Sequence, residues 1–165
     1  MPLWPLETVE VEIAVPEGDQ VIIGQSHFIK SVEDLYEALV TSMPGIKFGL
    51  AFCEASGKAL IRLEGTDGAL TDLARDYASR IASGHSFVIV LREAYPINVL
   101  NRVKAVEEVV NIFCATSNPV TVLVADSGRG RGIIGVIDGI PPKGVEGPSD
   151  KEDRRGFLRK IGYKR

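Results

Sequence analysis

The sequence predicts a single compact α/β domain, a mixed β-sheet with helices packed on it in a three-layer-like arrangement. Three observations point there. The chain has 165 residues, 45% hydrophobic and 25% charged, which is the ordinary globular mixture at the ordinary size of one domain. Runs with period-two alternation are interleaved with runs whose apolar residues return at helical spacing. The interleaving follows no regular βαβ period, which favours a mixed sheet over a purely parallel one, and no repeat of fixed period is visible.

Glu7 to Val15 places Val9, Val11, Ile13 and Val15 on one side and Thr8, Glu10 and Glu12 on the other, the pattern of a half-buried strand. Pro16-Glu17-Gly18-Asp19 has turn chemistry, and Gln20 to Gly24 resumes β-branched residues, so a hairpin is expected. Ser31, with Asp34 three positions on and Leu35, Leu39 and Val40 following, predicts a capped helix that ends at Pro44-Gly45. Ile46 to Glu54 and Ala59 to Leu63 flank a short glycine-containing loop and read as a second hairpin. Leu70, Leu73, Ala74, Tyr77, Ala78 and Ile81 mark an amphipathic helix closed by Ser83-Gly84. His85 to Leu91 contains the longest apolar run and is the expected central strand, covered on both faces. A helix over Ile97 to Val106 follows Pro96, then strands over Val110 to Ala115, Thr121 to Ala125 and Ile133 to Ile137. After a segment rich in Pro and Gly, Asp150 to Ile161 predicts a charged terminal helix with Phe157, Leu158 and Ile161 on one side.

Composition narrows the function classes. With 19 Lys plus Arg against 22 Asp plus Glu, the net charge of -3 supplies no positive field, and nucleic acid is not an expected partner. Apolar runs such as Phe87 to Leu91 fall far short of the ~20 residues of a membrane span. Met1 to Pro5 lacks the pattern of a secretory signal. Cys53 and Cys114 each lie in an apolar run and read as buried thiols of a cytoplasmic protein.

Several constellations can carry chemistry. Gly24-Gln25-Ser26-His27 stands where a strand ends and a helix is about to begin, the edge at which α/β folds collect ligands. Gln25 and Ser26 supply donors, and His27 supplies a nucleophile or acid–base group near neutral pH. The alternative is a loop histidine bonded to nearby backbone. His85, in Ser83-Gly84-His85-Ser86, either reaches a cleft or is a satisfied polar group at the core rim.

In Ser127 to Gly132, Gly128, Gly130 and Gly132 alternate with Arg129 and Arg131. Glycine permits close backbone approach and guanidinium matches phosphate oxygens in pairs, so this loop is a candidate phosphate clamp, with a solvated hairpin turn as the alternative. It matches neither the P-loop nor GxGxxG. In the following loop, Asp138 and Glu146 are candidates to hold Mg²⁺ or to orient a hydroxyl, and Lys143 a candidate to neutralise a transferring phosphoryl group; a solvated surface loop is the other reading. Arg92 and Asn98, flanking the end of the central strand, are candidates to line a purine or ribose pocket.

Taken in order, G-Q-S-H-F-I-K at 24–30, G-H-S-F-V-I at 84–89, P-I-N-V-L-N at 96–101, I-F-C-A-T at 112–116, G-R-G-I-I-G-V-I-D-G at 130–139 and P-K-G-V-E-G at 142–147 resemble one family, the small adenosine-specific kinases. The resemblance runs from Glu7 to Tyr163. It implies a compact α/β domain that forms a homo-oligomer, a trimer or hexamer, binds adenine nucleotide and acts on adenosine, with ATP as cofactor. The residue roles come from the chemistry above. Arg129, Arg131 and Lys143 would neutralise phosphate, and transfer would run either directly to the ribose hydroxyl or through a phosphorylated His27 or His85. The rival classes are a non-catalytic adenine-nucleotide sensor and an oligomeric binding protein whose loops serve only subunit contacts.

Overall fold

The computed structural model describes residues 5–165, so the reading of Met1 to Trp4 lies outside the described residues. The elements are β1 (Glu7–Ile13), β2 (Asp19–Ser26), α1 (Ser31–Ser42), β3 (Lys47–Cys53), β4 (Ile61–Gly65), α2 (Gly68–Ile81), β5 (Ser86–Arg92), α3 (Pro96–Lys104), β6 (Val109–Thr116), β7 (Val120–Asp126), β8 (Arg131–Asp138) and α4 (Pro148–Lys160). The α/β class and the layering agree with expectation, but the strands do not form one mixed sheet. They divide between a sheet of order β1-β7-β8 and a sheet of order β4-β3-β5-β2-β6, with antiparallel pairing throughout.

The division begins at the first predicted hairpin, which does not form. β1 pairs with β7, Val11 opposite Val122, whereas β2 lies between β5 and β6 in the other sheet. The turn itself is real, with the Asp19 N–H donating to the Pro16 carbonyl at 3.0 Å and Gly18 at φ +85°. It carries the chain from one sheet to the other instead of folding β2 back on β1.

β5 is the centre of the five-stranded sheet, and its continuous apolar run reflects burial on both faces. Val88 and Val90 point into a core shared with Leu70, Ala74 and Tyr77 of α2 and with Val11, Ile13 and Val122 of the smaller sheet. Phe87, Ile89 and Leu91 point the other way, against Leu35 and Leu39 of α1 and Val99 and Val103 of α3. The layers are therefore α2 with the small sheet, the large sheet, and α1 with α3. Each fully buried large aliphatic or aromatic side chain contributes roughly 1.5–3 kcal/mol.

Helix termini set the loops that matter later. Asp67 caps α2 by accepting from the Leu70 N–H at 3.1 Å, and Ala82 closes it at φ +49°. α1 departs from its predicted cap, since Ser31 is the first helical residue and its buried Oγ has no partner among the described residues. α4 buries no residue and leaves Phe157 and Ile161 exposed. Among the described residues no helix is long and apolar enough to cross a membrane.

Candidate functional site

The two histidines come together at one end of the large sheet. β2 and β5 are antiparallel, with Gln25 opposite Ser86, so the residues leaving β2 meet those entering β5. The Ser26 N–H donates to the His85 carbonyl at 2.9 Å, and the His85 N–H donates to the Cys53 carbonyl at 2.7 Å. His85 holds φ +64°, a conformation costly for a non-glycine residue, and its ring stacks on Phe52 with centroids 6.1 Å apart. His27 is exposed; its backbone N–H and its ring Nδ1 both face the Glu108 carbonyl, each at 3.1 Å.

Beneath His27 lies a charged cluster that no local motif announces. Lys30 pairs with Asp34 and, at 3.4 Å, with Glu108, whose residue is 3% exposed. Asp34, placed by Glu108 and the Lys30 ammonium, has its carboxyl held below its ordinary range. Ser26 Oγ, Ser31 Oγ and Glu108 Oε2 are buried without hydrogen-bond partners among the described residues, an unusual concentration for neighbouring elements.

The arginine–glycine hairpin reaches the same edge through one of its arginines. The loop joins β7 to β8, with Gly128 at φ +71°. Asp126 accepts from the Gly128 N–H and from Arg131 Nε, both at 2.8 Å, and these two bonds hold its carboxyl below the ordinary range. The Ser83 hydroxyl donates to the Arg131 carbonyl at 3.1 Å. A cleft of about 120 Å³ opens there, lined by Gln25, Ser83, Gly84, Ser86, Phe113, Arg131, Gly132 and Ile133. At about 30 Å³ per water it has room for about four, too little for a nucleoside. Arg129 and Gly130 stand exposed at the tip of the hairpin.

The remaining candidates lie at the other end of the sheet. Gln20, Tyr95, Ile97, Thr116, Phe157 and Tyr163 are among the residues lining a cavity of about 640 Å³ between the start of β2, the start of α3 and α4. That volume falls within the range of small-molecule sites, and its aromatic rings and the Gln20 amide suit a planar heterocycle. Arg92 and Asn98 flank it with their polar groups already engaged. Arg92 makes a two-pronged pair with buried Asp19 at 2.7 and 2.8 Å, and Asn98 Oδ1 accepts from the Tyr95 N–H at 2.9 Å, capping α3.

Asp138 accepts from the Thr116 hydroxyl at 2.8 Å and from Asn118 Nδ2 at 3.0 Å, so it belongs to the cavity end. Glu146 is paired with Arg154, which depresses its carboxyl, and Lys143 is exposed. Among the described residues no group of three His, Cys, Asp or Glu side chains stands ready for a metal. Asp138 and Glu146, which the sequence suggested for Mg²⁺, are each hydrogen-bonded to other side chains. Six residues along β2 separate Gln20 from Ser26, about 20 Å at ~3.4 Å per residue, and β8 likewise separates Arg131 from Asp138 by about 24 Å. Within one chain, therefore, Arg131 lines the cleft at the end of β2 that leads to His27, while Asp138 stands with the cavity.

Both cysteines are free and buried. Burial, with the Asp138 charge as a smaller cause, pushes the Cys114 thiol up to about 12.

No curated protein matches the chain. The crystal structure of the PH1918 protein from Pyrococcus horikoshii OT3 is similar over 98% of this chain and 99% of that one, with 45% identity and a TM-score of 0.93. The sequence profile of the family described as adenosine specific kinase matches residues 11–164, nearly the whole chain. With both histidine motifs, the hairpin and the cavity inside that span, the chain belongs to the adenosine-specific kinase family.

Proposed function

We propose that the protein transfers a phosphoryl group from ATP to adenosine through a phosphorylated His27. The observation that carries this reading is the convergence at one sheet edge of an exposed imidazole, the donors of Gln25 and Ser26, and the Arg131-lined cleft. Phosphoryl transfer asks a protein mainly for position and charge neutralisation. Arg131, paired with Asp126, lines the cleft that Gln25 joins, and Arg129 stands exposed at the hairpin tip as a further positive charge. Mg²⁺ travels with the nucleotide phosphates, since neither Asp138 nor Glu146 is free to hold it.

Adenosine occupies the cavity beside Tyr95 and Thr116 in this reading. Reacting atoms must approach to about 3–3.5 Å, whereas His27 and the cavity lie at opposite ends of β2 in one chain. The acceptor hydroxyl therefore meets an imidazole brought by a second protomer of a homo-oligomer. The exposed Ile134 and Ile137 on edge strand β8, continued by Ile140 and Val145, support such an assembly, because apolar surface of this kind favours association.

Intact-mass measurement after incubation with ATP tests the carrier. The proposal expects the added mass of one phosphoryl group, lost again when adenosine is supplied, with AMP as product. AMP formation without protein phosphorylation at any time would leave only direct transfer.

The separation of cavity and imidazole also favours a second reading, a sensor that holds adenine nucleotide without turning it over. Turnover decides between them: binding of adenine nucleotide with no AMP made from adenosine and ATP, at any Mg²⁺ concentration, selects the sensor.

A further inference from the structure

The side-chain amide of Gln20 is a polar group without a partner at the large cavity. Gln20 is only 8% exposed, and its amide makes no hydrogen bond among the described residues, whereas a buried amide ordinarily satisfies both its carbonyl oxygen and its NH₂ group. The strand sets its direction. Side chains alternate across β2, so Gln20 leaves on the same face as Ile22, which packs among residues of α1 and α3. The start of α3 supplies Tyr95, Pro96 and Ile97 to the cavity, and Gln20 lines it with them. Neighbouring polar groups are already engaged. Thr116 donates to Asp138 and accepts from the Asn118 N–H at 3.0 Å, Asn98 caps α3, and Arg92 holds Asp19. Gln20 alone of these keeps a donor and an acceptor side by side, in a cavity walled by Tyr95, Phe157 and Tyr163.

Resting on the reading above that adenosine occupies this cavity, we infer that Gln20 reads the adenine base, Oε1 accepting from the N6 amino group and Nε2 donating to N7. The choice of edge follows from the chemistry of the amide. At N1 and N6, adenine offers an acceptor and a donor, hypoxanthine a donor and an acceptor, and an amide that turns over serves either base. At N6 and N7 the bases differ. Adenine offers a donor beside an acceptor, whereas hypoxanthine and guanine offer two acceptors, which no orientation of one amide satisfies. A site specific for adenosine, as the family's description has it, therefore uses the second edge. A purine with a carbonyl in place of the amino group sets one acceptor against Gln20 Oε1 and leaves both unpaired, which is how a hydrogen-bonding site rejects an analogue.

Calorimetric titration with adenosine, inosine and 7-deazaadenosine tests this on the wild-type protein, since inosine lacks the N6 donor and 7-deazaadenosine lacks the N7 acceptor. Each analogue should bind roughly tenfold more weakly than adenosine, or worse, the scale of one lost buried hydrogen bond. In Gln20→Leu, with folding checked by its urea midpoint, adenosine should fall to the level of the analogues and all three should bind alike. Equal binding of adenosine and 7-deazaadenosine by wild type overturns the inference, and so does a Gln20→Leu protein that keeps the wild-type ranking. A double variant, Phe157→Ala with Tyr163→Ala, separates this from the reading on which it rests, because α4 buries no residue and its substitution leaves the core intact. Adenosine binding weakened in that variant but unchanged in Gln20→Leu overturns the role of Gln20 alone. Binding unchanged in both puts adenosine outside the cavity and overturns the two together.

Discussion

Arg131 and Asp138 terminate the same strand, β8, and stand about 24 Å apart, one lining the small cleft with Gln25 and Ser83 and the other hydrogen-bonded to Thr116 at the large cavity. Their substitutions therefore affect different half-reactions. Arg131→Ala should slow phosphorylation of the protein by ATP roughly tenfold or more, through loss of a guanidinium at the phosphate cleft. Asp138→Ala should leave that step unchanged and weaken adenosine binding roughly two- to tenfold, because the Thr116 hydroxyl loses its acceptor. Rapid-quench phosphorylation and calorimetric titration with adenosine measure the two effects separately; a slowed phosphorylation in Asp138→Ala would contradict the assignment.

A Cβ at Gly49 of β3 would sit 2.1 Å from the Leu70 carbonyl carbon and 2.2 Å from the Thr71 nitrogen, both backbone atoms of α2. Backbone cannot swing aside as a flexible side chain can. Gly49→Ala should lower stability by about 3 kcal/mol, while Gly144→Ala, whose Cβ meets nothing within 4 Å, should change it little. Urea unfolding of the two variants checks the contrast, and equal midpoints would show that α2 is not seated on β3 as described.

Asp126 ties the hairpin to Arg131, and its carboxyl is held below the ordinary value by the Gly128 N–H and by Arg131. A folded-state pKa below the unfolded one gives stability that is present above the ordinary aspartate value of about 3.9 and is lost as pH falls through the lower folded value. Asp126→Asn should thus melt below wild type at neutral pH, and the two curves should converge on acidification below about pH 4. Thermal melts across that range provide the check; a constant gap would remove the charge from the explanation.

Cys114 needs strong base to ionise in the folded state, at about 12, and the thiolate is the reactive form. Thiol reagents at pH 8 should modify the native protein slowly and the urea-unfolded protein at both cysteines. Rapid modification of native Cys114 would contradict its burial.

Much of the fold was legible because burial leaves local marks. The unbroken apolar run of β5 reads as a strand covered on both faces, and it is the centre of its sheet. The alternation in β1 identified its inner side, Val11 and Ile13, but could not name its partner. Pro16 to Asp19 makes the same local turn whether the chain folds back on itself or crosses to another sheet. Ser31 carried a capping pattern, yet Lys30 enters the helical region before it and moves the boundary. Among the candidates, His27, Gln25, Ser26 and Arg131 stood out by residue type and by their position at a strand terminus. Glu108 did not. It touches His27 across 81 residues of sequence, and its own neighbourhood carries no motif. Asp138 and Glu146 were read as free carboxylates because the partners that occupy them, Thr116 and Asn118 for one and Arg154 for the other, are set by tertiary packing and helix placement.

The claim on which the functional account depends is that the imidazole of His27 is the group that handles phosphate. AMP formation from ATP and adenosine, followed for wild type and His27→Ala at matched folded concentration, measures this most directly. The account predicts turnover by wild type and a loss of at least about a hundredfold in the variant, the scale on which a positioned catalytic imidazole acts. Undiminished AMP formation by His27→Ala would contradict it.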